Sequence, residues 1–319
     1  MTDEGAPSGP GRVGVVLMAY GTPRHPDEIE SYYTDIRRGR PPTQEALADL
    51  VARYEAIGGV SPLARLTEAQ RDALQHALDT AEPNRFEVTI GLKHADPKVE
   101  TTARSLADEV DAIVGLVLAP HYSAFSIGQY LDRVQEGVAA SGAPVTVHGI
   151  ESWAVEPAFV DFLASDLEDR LTAMRARTAG RVRIAFTAHS LPERILAEGD
   201  PYPDELRSTA VAVADRLGLV EGDDWQLAWQ SAGRTPEPWI GPDILTVIDD
   251  LGADDDVGGL IVCACGFVAD HLEVLYDLDI EAARRAAANG LDFDRTACVN
   301  DDATIMAALA ERVRHAAGV

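Results

Sequence analysis

Short apolar runs rich in β-branched residues recur along the chain, at Val13–Tyr20, Val88–His94, Ala112–His121, Val145–Ile150, Val182–His189, Trp225–Ser231 and Gly259–Cys265. Between them lie segments with helical patterning, Thr43–Ile57, Thr67–Ala81, Ala158–Arg177 and Asp204–Leu217, whose apolar residues return at the period of a helix with one buried face. Strands that alternate with helices predict βαβ units, so the fold class is α/β, with parallel sheets covered on both faces. An internal echo divides the chain. The run ending Ala19-Tyr20-Gly21-Thr22-Pro23 is matched by the run ending Ala188-His189-Ser190-Leu191-Pro192. A later strand in each half also ends in a polar turn, at Pro120-His121-Tyr122-Ser123 and at Gly266-Phe267 leading to His271 and Glu273. Two similar halves are expected, 12–150 and 151–319, joined near Gly149–Glu151 and preceded by a Gly/Pro tail at 1–11 expected to be disordered. The last segment, about 302–316, reads as an amphipathic helix able to pack back on the first half.

A chain of 319 residues can bury two cores. Its formal net charge of −26 argues against nucleic acid and anionic membrane surfaces, which need a basic footprint. No apolar stretch reaches the length of a membrane span, and the start has neither a basic region nor a hydrophobic run, so a cytoplasmic location is expected. Lys93 and Lys98 are the only lysines. Cys263, Cys265 and Cys298 include no C-x-x-C pair; the first two fall on one face of a strand and read as buried thiols.

In doubly wound sheets ligands bind outside the carboxyl ends of strands, and the chemically loaded residues occupy those ends. His189 stands where a strand stops, with Ser190-x-x-Glu193 as a capping box and Pro192 in a first helical turn. The helix dipole there would disfavour imidazolium and leave a neutral ring that can accept a proton or bind a metal. Tyr20, at the corresponding place in the first half, either contributes its phenol or only caps the strand. Glu273, Asp277 and Glu281 fall four residues apart, one row on a helix. They form either a solvated acidic face or an oxygen-ligand row for a divalent cation. Arg37, Arg38, Arg40 and Arg53 suit carboxylates or phosphates, or an ordinary salt-bridged helix face. His94, at another strand end, is open between a structural and a metal-binding role. Neither a dinucleotide fingerprint nor a P-loop is present.

Nine segments in order then carry a family likeness: MAYGTP at Met18–Pro23, SYYTDIRRGRPP at Ser31–Pro42, RYEAIGGVSPL at Arg53–Leu63, GLKHADP, APHYSAFSIGQY, TAHSLPERI, GDPYPDEL, WQSAGRTPEPWIGPD and GFVADHLEVLYDLDIE. From about Val13 through Glu281 the chain resembles the ferrochelatases. The resemblance implies two Rossmann-like halves, each on a parallel four-stranded sheet, a porphyrin cleft between them, and insertion of ferrous iron into the macrocycle. By the same resemblance His189 and Glu273 are the catalytic pair facing the porphyrin centre, binding iron and accepting the pyrrole protons. Asp277 and Glu281, with His94, match an outer metal position that can hold a divalent cation. Tyr20 matches a tyrosine on the opposite face, axial to the product iron, typical of the branch that acts on coproporphyrin III in heme biosynthesis. Arg37, Arg53, Tyr54, Ser61 and Tyr130 match positions around the porphyrin and its propionates.

No resident cofactor is implied, iron being a substrate. Many relatives carry a [2Fe–2S] cluster on four cysteines; with three cysteines and an end at Val319, no cluster is expected here. The expected partners are porphyrin and ferrous iron, with transient contact to the upstream and downstream enzymes of the heme pathway, for a monomer without membrane insertion. The alternatives are a protoporphyrin IX ferrochelatase, a chelatase for another tetrapyrrole, and a non-catalytic porphyrin or heme carrier.

Overall fold

A computed structural model of the chain describes residues 11–233 and 235–319, so all of the expected tail but Gly11 lies outside the described residues, as does Arg234. The first sheet comprises β1 (Val13–Ala19), β2 (Phe86–Leu92), β3 (Ala112–Val117) and β4 (Thr146–Ile150); the second comprises β5 (Arg181–His189), β6 (Trp225–Gln230), β7 (Val257–Cys263) and β8 (Asp292–Arg295). Their orders, β2-β1-β3-β4 and β6-β5-β7-β8, are the same pattern used twice. All pairings are parallel. Every residue of β1 is buried, as expected of a central strand with helices on both faces.

β8 is the strand that the hydrophobic pattern does not announce. Its sequence is Asp-Phe-Asp-Arg, and it lies at a sheet edge, where charged residues deter pairing with other chains. The strand expected over Ala112–His121 ends at Val117. Beyond it, Pro120 has no N–H to give to a ladder, and its carbonyl accepts from Trp153 N instead.

The C-terminal helix Ala303–Ala316 starts on Asp302, whose carboxylate accepts from Thr304 N at 2.9 Å and Ile305 N at 3.0 Å. Its apolar stripe buries Ile305, Met306, Leu309, Ala310 and Val313 and packs against the first-half helix Leu63–Ala81. Arg314 Nε donates to Glu82 just past the end of that helix, at 2.8 Å. Residues of β1, β5 and the C-terminal helix belong to one continuous apolar cluster. Leu309 is fully buried there, so Leu309→Ala is expected to cost about 2–5 kcal/mol. Urea denaturation followed by near-UV and far-UV signals checks this, with one coincident transition expected because the core is shared.

Candidate active site

Parallel strands bring their carboxyl ends to one edge, and β5 delivers His189 there. The strand can approach its neighbour closely because Gly266 follows β7; a Cβ at that position would come within 2.4 Å of the Ala188 side chain. His189 Nδ1 lies 2.5 Å from the Ser190 carbonyl oxygen. A carbonyl only accepts, so Nδ1 carries the hydrogen and Nε2 is the working nitrogen. Nε2 is 3.6 Å from Glu273 Oε1, and both side chains are about one-third open to solvent, at 33% and 36%.

Two local expectations are corrected here. The capping box does not form: Ser190 Oγ donates to the Ile240 carbonyl, Glu193 N donates to the Pro238 carbonyl, and the helix that follows, Arg194–Ala197, has four residues. Nor does a helix dipole hold the ring below its usual range. Burial does act in that direction, but the Glu273 carboxylate outweighs it, and the imidazole pKa is raised. The same pairing holds the Glu273 carboxyl well below its ordinary value despite the opposing effect of desolvation.

Glu273 lies in the short helix Leu272–Leu275, which runs on into a π-helical segment, Asp277–Ala282. There Glu281 N donates to the Tyr276 carbonyl five residues back, at 2.9 Å. The charges of Glu273 and Glu281 both act on Asp277, so the three carboxylates remain neighbours through the wider turn. Glu273 faces His189 and, at 3.6 Å, His271 Nε2. Asp277 is buried, accepting from Ser231 Oγ at 2.5 Å and from Arg53 Nη1 at 3.2 Å. Burial first, and the nearby Glu273 charge second, raise its pKa to about 6. Glu281, whose charge also acts on Asp277, lines a pocket with Tyr276, Arg284 and Arg285.

His94 does not join that acidic pair. Its Nδ1 is 2.8 Å from Asp35 Oδ2, and its ring lies 4.6 Å from the Tyr20 ring, centroid to centroid. Desolvation lowers the His94 pKa to about 4, against the opposing pull of Asp35. Of the outer set, Asp277 feels the Glu281 charge while His94 stands apart beside Asp35 and Tyr20, and among the described residues no group of three His, Cys, Asp or Glu is gathered to hold a metal ion.

Tyr20 is 42% exposed. Desolvation and then the Glu273 charge keep its phenol well above the ordinary range. Around it stand Tyr54, sharing a 3.2 Å hydrogen bond with Thr22, and Tyr130, whose buried ring carries the Lys93 ammonium 5.0 Å from its centroid. Ser61 Oγ accepts from Leu63 N, and Arg37 lies over the Tyr33 ring on an exposed rim. Arg53 stacks on Tyr276 with 4.8 Å to the centroid and ties this wall to Asp277.

Sequence reasoning missed the residues that brace the site. Gln230 at the end of β6 accepts from Thr187 Oγ1 and donates to the Glu273 carbonyl. Tyr202 donates to the His189 carbonyl at 3.0 Å. Ser231, bonded to Asp277, sits at φ 59°, unusual for a residue with a Cβ. The strand-end rule that singled out His189 applies equally to Gln230, the last residue of β6, and to Ser231, which directly follows it. Arg295 joins them from the edge strand: its Nε and Nη2 hold Asp279 at 2.6 and 2.9 Å, and Nη2 also reaches Asp270 at 3.0 Å.

The model of one protein family, described as Ferrochelatase, matches residues 12–317. The chain belongs to the ferrochelatase family. It is 42% identical over 302 residues to the coproporphyrin III ferrochelatase of Geobacillus kaustophilus, covering 94% of each chain. Identity is 43% over 286 residues to the coproporphyrin III ferrochelatase of Halalkalibacterium halodurans, over 89% of this chain and 90% of that one. A ferrochelatase of Herpetosiphon aurantiacus is 42% identical over 292 residues, 91% of this chain and 94% of its own length. Among solved structures, SirB from Bacillus subtilis with Fe3+ superposes with a TM-score of 0.55 at 12% identity over 96% of both chains. That likeness shows the fold: two similar halves, here each built on its four-stranded parallel sheet. Within this ferrochelatase, His189 and Glu273 are adjacent, while His94 stands beside Tyr20. No described helix is long and apolar enough to cross a membrane.

Proposed function

We propose that this ferrochelatase inserts Fe2+ into coproporphyrin III to give iron coproporphyrin III, a step of heme biosynthesis, with His189 and Glu273 as the catalytic pair. The observation that carries the site assignment is the orientation of His189, whose Nδ1 is committed to the Ser190 carbonyl while Nε2 faces Glu273. The substrate assignment is supported by the relatives named as coproporphyrin III ferrochelatases. Metallation exchanges one Fe2+ for two pyrrole protons. The His189 imidazole and Glu273 carboxylate form a unit that can take up protons on one side of a bound ring and supply nitrogen and oxygen donors to the entering metal. Tyr20 is the candidate ligand from the other face. Asp277, poised near neutrality and bonded to Ser231, is the next group along from Glu273 able to exchange a proton. A planar ring hides its nitrogen lone pairs in the plane, so a cleft that bends one pyrrole lowers the barrier to metal entry. Arg37, Arg53, Tyr54, Ser61 and Tyr130 surround the ring in this reading, and the enzyme works as a cytoplasmic monomer.

Anaerobic iron insertion with coproporphyrin III and protoporphyrin IX side by side, followed as loss of free-porphyrin fluorescence, tests the proposal. Preferential turnover of coproporphyrin III is expected. Equal or reversed preference moves the substrate to protoporphyrin IX, and binding without turnover makes the protein a carrier.

Arg295 supports the metal-facing wall from outside. By holding Asp270, next to His271, and Asp279 in the π-helical turn, it fixes both flanks of the stretch that bears Glu273 and Asp277. Such supporting partners typically contribute about 10–100-fold to metal affinity. Arg295→Gln is accordingly expected to raise KM for iron about tenfold with a smaller change in kcat, measured in anaerobic initial rates at varied iron.

A further inference from the structure

On the Tyr20 side of the cleft, a cavity of about 570 Å³ gathers charge that the reaction as described does not use. Arg38, Lys93, Lys98 and Arg133 line it, against Asp35 and Glu100. Both lysines of the 319-residue chain are here, in a protein whose formal net charge is −26. The local carboxylates are already engaged. Asp35 accepts from Lys98 Nζ at 2.9 Å and stands 2.8 Å from His94 Nδ1, and Glu100 lies 3.8 Å from Arg133. Lys93 Nζ donates to Gln129 Oε1 at 2.9 Å, a neutral acceptor that leaves its charge unbalanced. Among the described residues the Arg38 guanidinium has no hydrogen bond or ion pair. The turn that presents it is nevertheless fixed: Arg38 sits at φ 57°, with its N–H donating to the Asp35 carbonyl at 2.9 Å. Arg38 and Lys93, two cations held at an open cavity without counter-charges of their own, form a receptor for an anion.

The cavity adjoins the proposed ring site: His94 lines it and its ring lies 4.6 Å from that of Tyr20, tilted by 55°, while Lys93 lines it and holds its ammonium 5.0 Å from the Tyr130 centroid. An edge substituent of a macrocycle seated over Tyr20 can therefore reach past these two side chains into this space. Of the two porphyrins in question, coproporphyrin III carries four propionates, whereas protoporphyrin IX carries two and has vinyl groups in place of the others. We infer that the cavity is a carboxylate-binding site in which Arg38 and Lys93 hold a propionate that coproporphyrin III has and protoporphyrin IX lacks. The inference rests on the proposed activity and deepens it, because it assigns the choice between the two porphyrins to named side chains.

Arg38→Gln and Lys93→Met test it. Arg38 is exposed and unpartnered, so its replacement leaves the fold intact, and methionine replaces the Lys93 ammonium near Tyr130 by an unbranched uncharged chain; thermal denaturation controls for both. Dissociation constants for the two porphyrins are measured by quenching of protein fluorescence, and citrate serves as a free-carboxylate probe in thermal-shift titrations. Each variant is expected to bind coproporphyrin III about tenfold more weakly and protoporphyrin IX within about twofold of wild type, the loss of one charge-assisted bond. Equal loss for both porphyrins, or no loss for either, overturns the inference. Unchanged porphyrin binding, together with a citrate-dependent rise in Tm that the variants lose, also overturns the propionate assignment and makes the cavity a site for a free carboxylate. Wild-type protein that binds and metallates coproporphyrin III while the variants show no selective loss rejects the cavity alone. Wild-type protein that binds neither porphyrin rejects the activity beneath it.

Discussion

His189→Ala is expected to bind coproporphyrin III with close to wild-type affinity and to insert iron at least about a hundredfold more slowly, the lower end of what a positioned acid–base group contributes. The imidazole has one free nitrogen, Nε2, and it points toward Glu273 in the cleft. Removing it withdraws both the proton acceptor and a nitrogen donor. The residues expected to hold the ring, among them Tyr20, Tyr54, Ser61 and Tyr130, belong to the other half and stay in place. Single-turnover insertion and equilibrium quenching by the porphyrin separate the two effects. Turnover within a few-fold of wild type would remove His189 from the proton-accepting role, and weakened porphyrin binding would make it a ring contact instead.

Glu273→Gln is expected to be similarly damaging, about a hundredfold or more in turnover, by a different route. Glutamine keeps the shape and removes the charge. The carboxylate is what raises the His189 pKa against the lowering effect of burial, so the histidine pKa must fall in the variant. The sign follows for each partner. The raised His189 pKa contributes stability below the unfolded value, which is lost as pH rises through the folded pKa; the depressed Glu273 pKa contributes stability above its unfolded value, which is lost as pH falls through the folded one. The variant thus loses the pair's contribution in the window between the two ordinary pKa values. Proton NMR of the His189 ring is expected to show titration at lower pH than in wild type. An unmoved titration curve would mean that Glu273 does not set the charge of the histidine.

How much of this was legible from sequence depended on the range of the interaction involved. β1, β5 and β7 are buried on both faces and therefore read as unbroken apolar runs, whereas β8 is polar on an edge and gave no such run. His189 could be recognised because a strand end is a local feature. Its charge state could not: the helix that follows has only four residues, and the ring is governed by burial and, against it, by Glu273, which arrives from the segment after β7. The acidic row was legible because a residue four positions on stays on nearly the same face whether the turn is α- or π-helical, and Asp277 feels the charges of both Glu273 and Glu281. His94 illustrates long-range dependence, since its partner Asp35 lies 59 residues away and takes it out of reach of the acidic pair. Arg295, bound to Asp279 and Asp270, looked from sequence like any arginine on a charged edge.

The apolar cluster that runs from β1 through β5 into the C-terminal helix also decides how a ring gets in and out. Lobes welded through a common interior cannot swing apart like a hinged shell, since parting them would expose that interior to water. Opening must then be local, confined to the connections beyond the strand ends, where less apolar surface has to be uncovered. Traffic through the cleft is accordingly a matter of small doors in a rigid wall, and where product release limits the cycle its rate is set by those connections.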